Sequence, residues 1–107
     1  MAQRYFLQLS YKGTNYHGWQ IQPNAISVQE VIEDALSKIL REKIGVVGAG
    51  RTDTGVHALF FILHFDAEKI ISENVDVVYK LNSFLPHDIA VQKVWEVDWE
   101  QRNKAIY

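Results

Sequence analysis

The ten residues from Val56 to Phe65 limit the fold more than any other stretch of the chain. His57, Leu59, Phe61, Leu63 and Phe65 alternate with Val56, Ala58, Phe60, Ile62 and His64, so an extended backbone would carry apolar groups on both faces. Such a strand belongs in the interior of a sheet, covered on both sides. At 107 residues the chain makes one small domain, residues 1–107. Its own helices can cover one face, which leaves the second face open or buried by another body, such as a copy of the chain.

The flanking segments supply the partners. Residues 4–11 alternate, with Tyr5, Leu7, Leu9 and Tyr11 opposite Phe6, Gln8 and Ser10, which predicts a first strand broken at Lys12-Gly13-Thr14-Asn15. Ser27-Val28-Gln29-Glu30 has the form of a capping box, the hydroxyl accepting from the amide three residues on and Glu30 reaching back. Val28, Val31, Ile32, Ala35, Leu36, Ile39 and Leu40 then fall on one helical stripe. Acidic residues near its start (Glu30, Glu33, Asp34) and basic ones near its end (Lys38, Arg41) suit the helix dipole. Lys38, Arg41 and Lys43 read as a solvated helix end.

Ile44 to Gly50 predicts a short second strand, and Val56 to Phe65 is the third. Val75, Val78, Leu81 and Leu85 predict a second helix over 74–85, stopped by Pro86. Ile89, Val91, Trp95, Val97 and Trp99 alternate with Gln92, Glu96, Asp98 and Glu100 as a fourth strand, flawed at Lys93. The order βαββαβ is that of ferredoxin-like domains, an α+β fold with an antiparallel four-stranded sheet and two helices on one face.

Composition removes several functions. The absence of cysteine excludes disulfides and thiolate metal sites and is compatible with the cytosol. The longest apolar run, Ala58 to Leu63, is six residues, and a bilayer span needs roughly 20, so no membrane role is expected. No signal-peptide core follows Met1. The net charge of −2 argues against nucleic acid until it is mapped. Residues 1–65 hold six basic and five acidic side chains, residues 66–107 five and eight, so the acidity lies in the later half.

The candidate chemistry lies in Gly48-Ala49-Gly50-Arg51-Thr52-Asp53-Thr54-Gly55-Val56-His57-Ala58. Gly48, Gly50 and Gly55 free the backbone for tight turns and close approach to a ligand. Arg51 and Asp53, two apart, point to one side of an extended segment, where the guanidinium holds the carboxylate ionised and offers donors to a polyanion. Thr52 and Thr54 read as turn residues. Upstream, the loop containing Tyr16, His17, Trp19, Gln20 and Gln22 concentrates aromatics that either anchor it to the core or offer flat faces to bases. His57, His64 and Asp66 do not make a metal site, because the two histidines are seven apart in a strand and face opposite ways. Gly48-x-Gly50 lacks the third glycine of a dinucleotide loop, Asp53 standing in its place.

Gly48 to Ala58, together with Tyr16-His17-Gly18-Trp19-Gln20-Ile21-Gln22 and Leu85-Pro86-His87-Asp88-Ile89-Ala90-Val91, resembles the ordered signature of the TruA family of tRNA pseudouridine synthases. The resemblance spans the chain but corresponds to only about the first half of a family member. It implies that Asp53 is the catalytic residue in converting uridine to pseudouridine in the anticodon stem-loop of tRNA, without metal or organic cofactor. The carboxylate would attack the sugar carbon or the base ring, or remove a sugar proton. The target base must leave its stack, and Arg51 resembles the residue that assists this, with Tyr16, Trp19, Gln20 and Gln22 as further RNA contacts. A Tyr and a basic residue of the site would come from the C-terminal half, and the family forms homodimers in the cytoplasm. The competing expectation is a non-catalytic RNA-binding or assembly module on the same scaffold. That module's aromatic–glycine signature is missing from the third strand, and it would need neither Arg51 nor Asp53.

Overall fold

Alternating apolar side chains and two breaks in that alternation build the sheet. A computed structural model of the protein describes residues 2–50, 55–68 and 75–97. Strand β1 (Gln3–Tyr11) is followed by a single 3₁₀ turn (Gly13–Asn15), helix α1 (Val28–Leu40), strands β2 (Val46–Gly48) and β3 (Ala58–Ala67), helix α2 (Val75–Phe84) and strand β4 (Ile89–Glu96). The sheet order is β2-β3-β1-β4, every neighbouring pair antiparallel. This is the α+β, ferredoxin-like arrangement, with β3 and β1 as the two interior strands. The predicted end of the fourth strand at 98–100 and the predicted helix start at Asn74 lie outside the described residues.

The core forms between the sheet and the two helices. Tyr5, Leu7, Leu9 and Tyr11 of β1 meet Phe61, Leu63 and Phe65 of β3 and Val91 and Val94 of β4. Ile32, Ala35 and Leu36 of α1 and Leu81 of α2 close over them. Ser27 caps α1 as expected, its hydroxyl accepting from the Glu30 amide at 3.2 Å. The other end of α1 departs from the usual pattern. Arg41, with no glycine to take the turn, ends the helix in the left-handed region at φ 57°.

Three strand assignments change. The second strand spans Val46–Gly48 rather than Ile44–Gly50, because α1 side chains take over the backbone before it. Ser37 Oγ accepts from Ile44 N at 2.9 Å and Glu33 Oε2 accepts from Val46 N at 2.9 Å. Gln29 Nε2 donates to the Val46 carbonyl at 3.2 Å. Side chains one helical turn apart thus cover the exposed side of an edge strand.

In β3 the alternation does not run through. Leu9 pairs with Phe61 but Tyr11 pairs with Ala58, so β3 spends three steps where β1 spends two. This bulge returns Ala58 to the core face and turns out Leu59, which is 92% exposed, and Phe60, which is 65% exposed. A second bulge accounts for the flaw at Lys93. Gln8 pairs with Lys93 and Leu9 with Val91, which leaves Gln92 as the extra residue and puts Val91 and Val94 on one face. Trp95 therefore leaves the set it was grouped with and packs across the sheet against Phe6, ring centroids 5.6 Å apart.

The face away from the helices is mixed. Val47 and Phe60 are exposed, Ile62, His64 and Trp95 half-buried, and Phe6 buried outside the contiguous core. Arg4 on β1 makes a two-pronged pair with Asp66 opposite it, at 2.9 and 3.1 Å. His64 lies beside them with its pKa lowered, by burial first and then by the Arg4 charge, against an opposing pull from Asp66. No helix of the described residues is long and apolar enough to cross a membrane.

Candidate functional site

The three sequence motifs converge on one end of the sheet, where β1, β2 and the α2–β4 connection deliver their loops. The segment leaving β2 is fixed where the sheet ends: Ala49 N donates to the Ile62 carbonyl at 2.9 Å. Gly48 is pressed under an indole, so a Cβ there would sit 2.5 Å from Trp19 Nε1 and 2.7 Å from Cε2. Its role is close packing. Gly55 instead supplies a positive φ of 79°. Gly50 has open space around it among the described residues and no positive φ.

Downstream, the loop is fastened to the segment after β1. Gly55 N donates to the Tyr16 carbonyl at 3.2 Å, and Gly13 N donates to His57 Nδ1 at 2.8 Å. Gly13 packs so closely on the Gly55–Val56 peptide that a side chain there would collide with the Val56 carbonyl. Arg51, Thr52, Asp53 and Thr54 lie along the chain between these fastenings and outside the described residues.

The loop after β1 is itself held from two sides. Val28 N donates to the Gly18 carbonyl at 3.2 Å and Gln29 N to the Trp19 carbonyl at 2.9 Å, so the chain preceding α1 satisfies amides that a helix start leaves open. On the other side stands Asp88. Its Oδ1 accepts from the Tyr16 hydroxyl at 2.6 Å, its Oδ2 from Asn15 Nδ2 at 3.2 Å, and its carbonyl from Lys12 N at 2.9 Å. Burial, the bond to Asp88 and its negative charge together push the Tyr16 phenol well above the usual tyrosine range. Tyr16 therefore stays a neutral donor at any physiological pH.

These positions decide between the two uses open to the loop aromatics. Tyr16 is 5% exposed and Trp19 3%, the latter stacked on Phe61 with ring centroids 4.4 Å apart. Both rings anchor the loop to the core and offer no open face to a base, which corrects their placement among the RNA contacts. Gln20 and Gln22 are exposed, although Gln22 Nε2 donates inward to the His17 carbonyl at 2.8 Å. Asp88 and His57 hold the loop segments together, a role that their motifs do not announce. A carboxylate just after the helix-ending Pro86 was the available sign for Asp88. Nothing local marked His57.

Beside this network lies a cleft of about 290 Å³, lined by Lys12, His57, Leu59, His87 and Asp88 among others. It draws on all three loop regions.

Comparison with known proteins bears on the family of the sequence. A family model described as tRNA pseudouridine synthase matches residues 9–100. A tRNA pseudouridine synthase A from Bacteroides thetaiotaomicron is 57% identical over 95 residues, covering 89% of this chain and 35% of the relative. The corresponding proteins of Bacteroides fragilis and Parabacteroides distasonis are 55% and 54% identical, over 90% and 85% of this chain and 38% and 36% of theirs. The chain thus spans little more than a third of the length of these relatives. With the signature motifs joined in one hydrogen-bonded unit and the family match running across nearly the whole sequence, the chain belongs to the tRNA pseudouridine synthase family.

Proposed function

We propose that these residues form the catalytic-loop domain of an isomerase that converts uridine to pseudouridine in the anticodon stem-loop of tRNA, with Asp53 as the catalytic carboxylate. The observation that carries the reading is the fastening of the loop around Asp53: Ala49 is bonded to β3 on one side, and Gly55 and His57 to the segment after β1 on the other. A group that must meet a reacting atom needs such a frame.

The reaction breaks the bond from C1′ to N1 of the base and forms one from C1′ to C5; the C5 hydrogen leaves as a proton and N1 gains one. A carboxylate ionised at neutral pH serves as nucleophile or base in this sequence without a cofactor. Arg51 assists removal of the uridine from its stack and holds phosphate, and the exposed Gln20 and Gln22 contact RNA. A C-terminal half supplies the tyrosine and basic residue that complete the site, and the whole protein works as a cytoplasmic homodimer.

Tritium at C5 of uridine reports turnover directly, because that hydrogen must leave. In the full-length protein Asp53→Asn should cut release by roughly a thousand-fold or more. Its cost to stability should stay within about 1 kcal/mol. Undiminished release by that variant would end the assignment. Residues 1–107 alone should release little or no tritium.

A further inference from the structure

The cleft beside the loop network has a chemical character of its own. Its lining combines apolar Tyr11, Ala58, Leu59 and Ala90 with Lys12, His57 and His87. The bulge in β3 puts Leu59 there at 92% exposure, although Phe61 and Leu63 on the same strand are buried. Among the described residues the Lys12 ammonium has no carboxylate partner. Asp88, the acidic residue of the lining, already accepts from Tyr16 and Asn15.

His57 adds a donor of known identity. Because its Nδ1 accepts from Gly13 N at 2.8 Å, the neutral ring carries its proton on Nε2. The lining thus offers an ammonium and an imidazole N–H together with apolar surface. Such a combination suits a ligand with a flat, weakly hydrated ring and an anionic or carbonyl-bearing edge. At about 290 Å³ the cleft admits one unit of that kind. His57, which lines the cleft, follows Asp53 by four residues in the sequence.

We propose that this cleft holds one unstacked nucleotide of the RNA substrate, a neighbour of the uridine to be isomerised, with its base on Leu59 and its phosphate accepting from Lys12 and from His57 Nε2–H. The proposal rests on the function proposed above and extends it to residues outside the R-T-D segment.

The test uses the full-length protein with an anticodon stem-loop RNA, reading affinity by fluorescence anisotropy across a salt series and turnover by tritium release. Lys12→Gln should raise KM about ten-fold with kcat nearly unchanged, and flatten the dependence of log affinity on log salt by about 0.7, the value for one phosphate contact to a single strand. Leu59→Ser should weaken binding by about five-fold or more through lost apolar contact with the base while leaving the salt slope alone. Lys43→Gln, beyond the far end of α1, removes the same charge as a control and should leave affinity and KM near the wild type. If Lys12→Gln and Leu59→Ser bind RNA no worse than Lys43→Gln, the proposal is overturned. It is equally overturned if the two variants act by changing the sedimentation coefficient, since the cleft would then be a protein contact. Absence of turnover in the wild type would remove the proposed function, and anisotropy would still decide whether the cleft takes RNA.

Discussion

The helix-covered core and the motif-bearing end of the sheet are held by different means. In the core, Leu7, Leu63, Ile32 and Leu36 are fully buried by a fit that is additive and non-directional, worth about 25 cal/mol for each Å² of apolar surface removed from water. At the motif end the backbone leaves the ladder, and its amides find single partners: His57 for Gly13, the Tyr16 carbonyl for Gly55, the Trp19 carbonyl for Gln29. The core can exchange one apolar side chain for another of similar volume. The motif end cannot, because each bond there has one donor and one acceptor.

Trp19 belongs to both regions, so removing it gives the hardest test of their separation. Trp19→Ala should cost about 3–5 kcal/mol, read from urea unfolding, since it empties the space between Gly48 and Phe61 and frees the loop before α1. A loss under about 1 kcal/mol would show that the loop is not anchored through this ring.

Asp88→Ala comes next, at about 1–3 kcal/mol, because it strands the Tyr16 hydroxyl in a buried position. Tyr16→Phe removes the same bond without leaving a buried donor and should cost only about 1 kcal/mol. If the motif end is a positioning device, both variants of the full-length protein lower kcat more than stability explains. Equal losses in unfolding and turnover would make Asp88 merely structural.

Two smaller effects lie away from the loops and should leave turnover alone. Arg41→Gly relieves the left-handed turn at the end of α1 and should stabilise the domain by up to about 1 kcal/mol in thermal unfolding. His64 gives the smallest. Its folded pKa lies below the unfolded value of about 6.5, so its contribution is complete above that pH and is lost as pH falls toward the folded pKa. Melting curves through that range should show the decline, and His64→Gln should flatten it. Should a partner cover this face in the full-length protein, the decline should steepen, because burial is the main cause of the shift.

Periodicity made much of the architecture legible. The stripe from Val28 to Leu40 and the capping serine located α1 within a residue, and alternation located β1 and the interior β3. Both bulges escaped it, since an extra residue is a property of a pair of strands: Leu59 and Trp95 changed face only when registered against β1. The shortening of β2 was hidden for a related reason, because Glu33 and Ser37 of α1 look like ordinary helix-surface polar residues until Val46 and Ile44 lie beside them.

Local order, family and the identity of the motifs were determined by the sequence itself, because they depend on neighbours along the chain or on matches of residue to residue. Tertiary structure alone decided that Tyr16 and Trp19 are anchors, that Gly48 is needed for an indole and Gly55 for its φ, and that Tyr16 joins the three motifs through Gly55 and Asp88 while His57 holds the Gly13 turn. Those facts rest on contacts between distant residues, such as the 72 positions from Tyr16 to Asp88, and no local pattern encodes which distant donor a buried acceptor will meet.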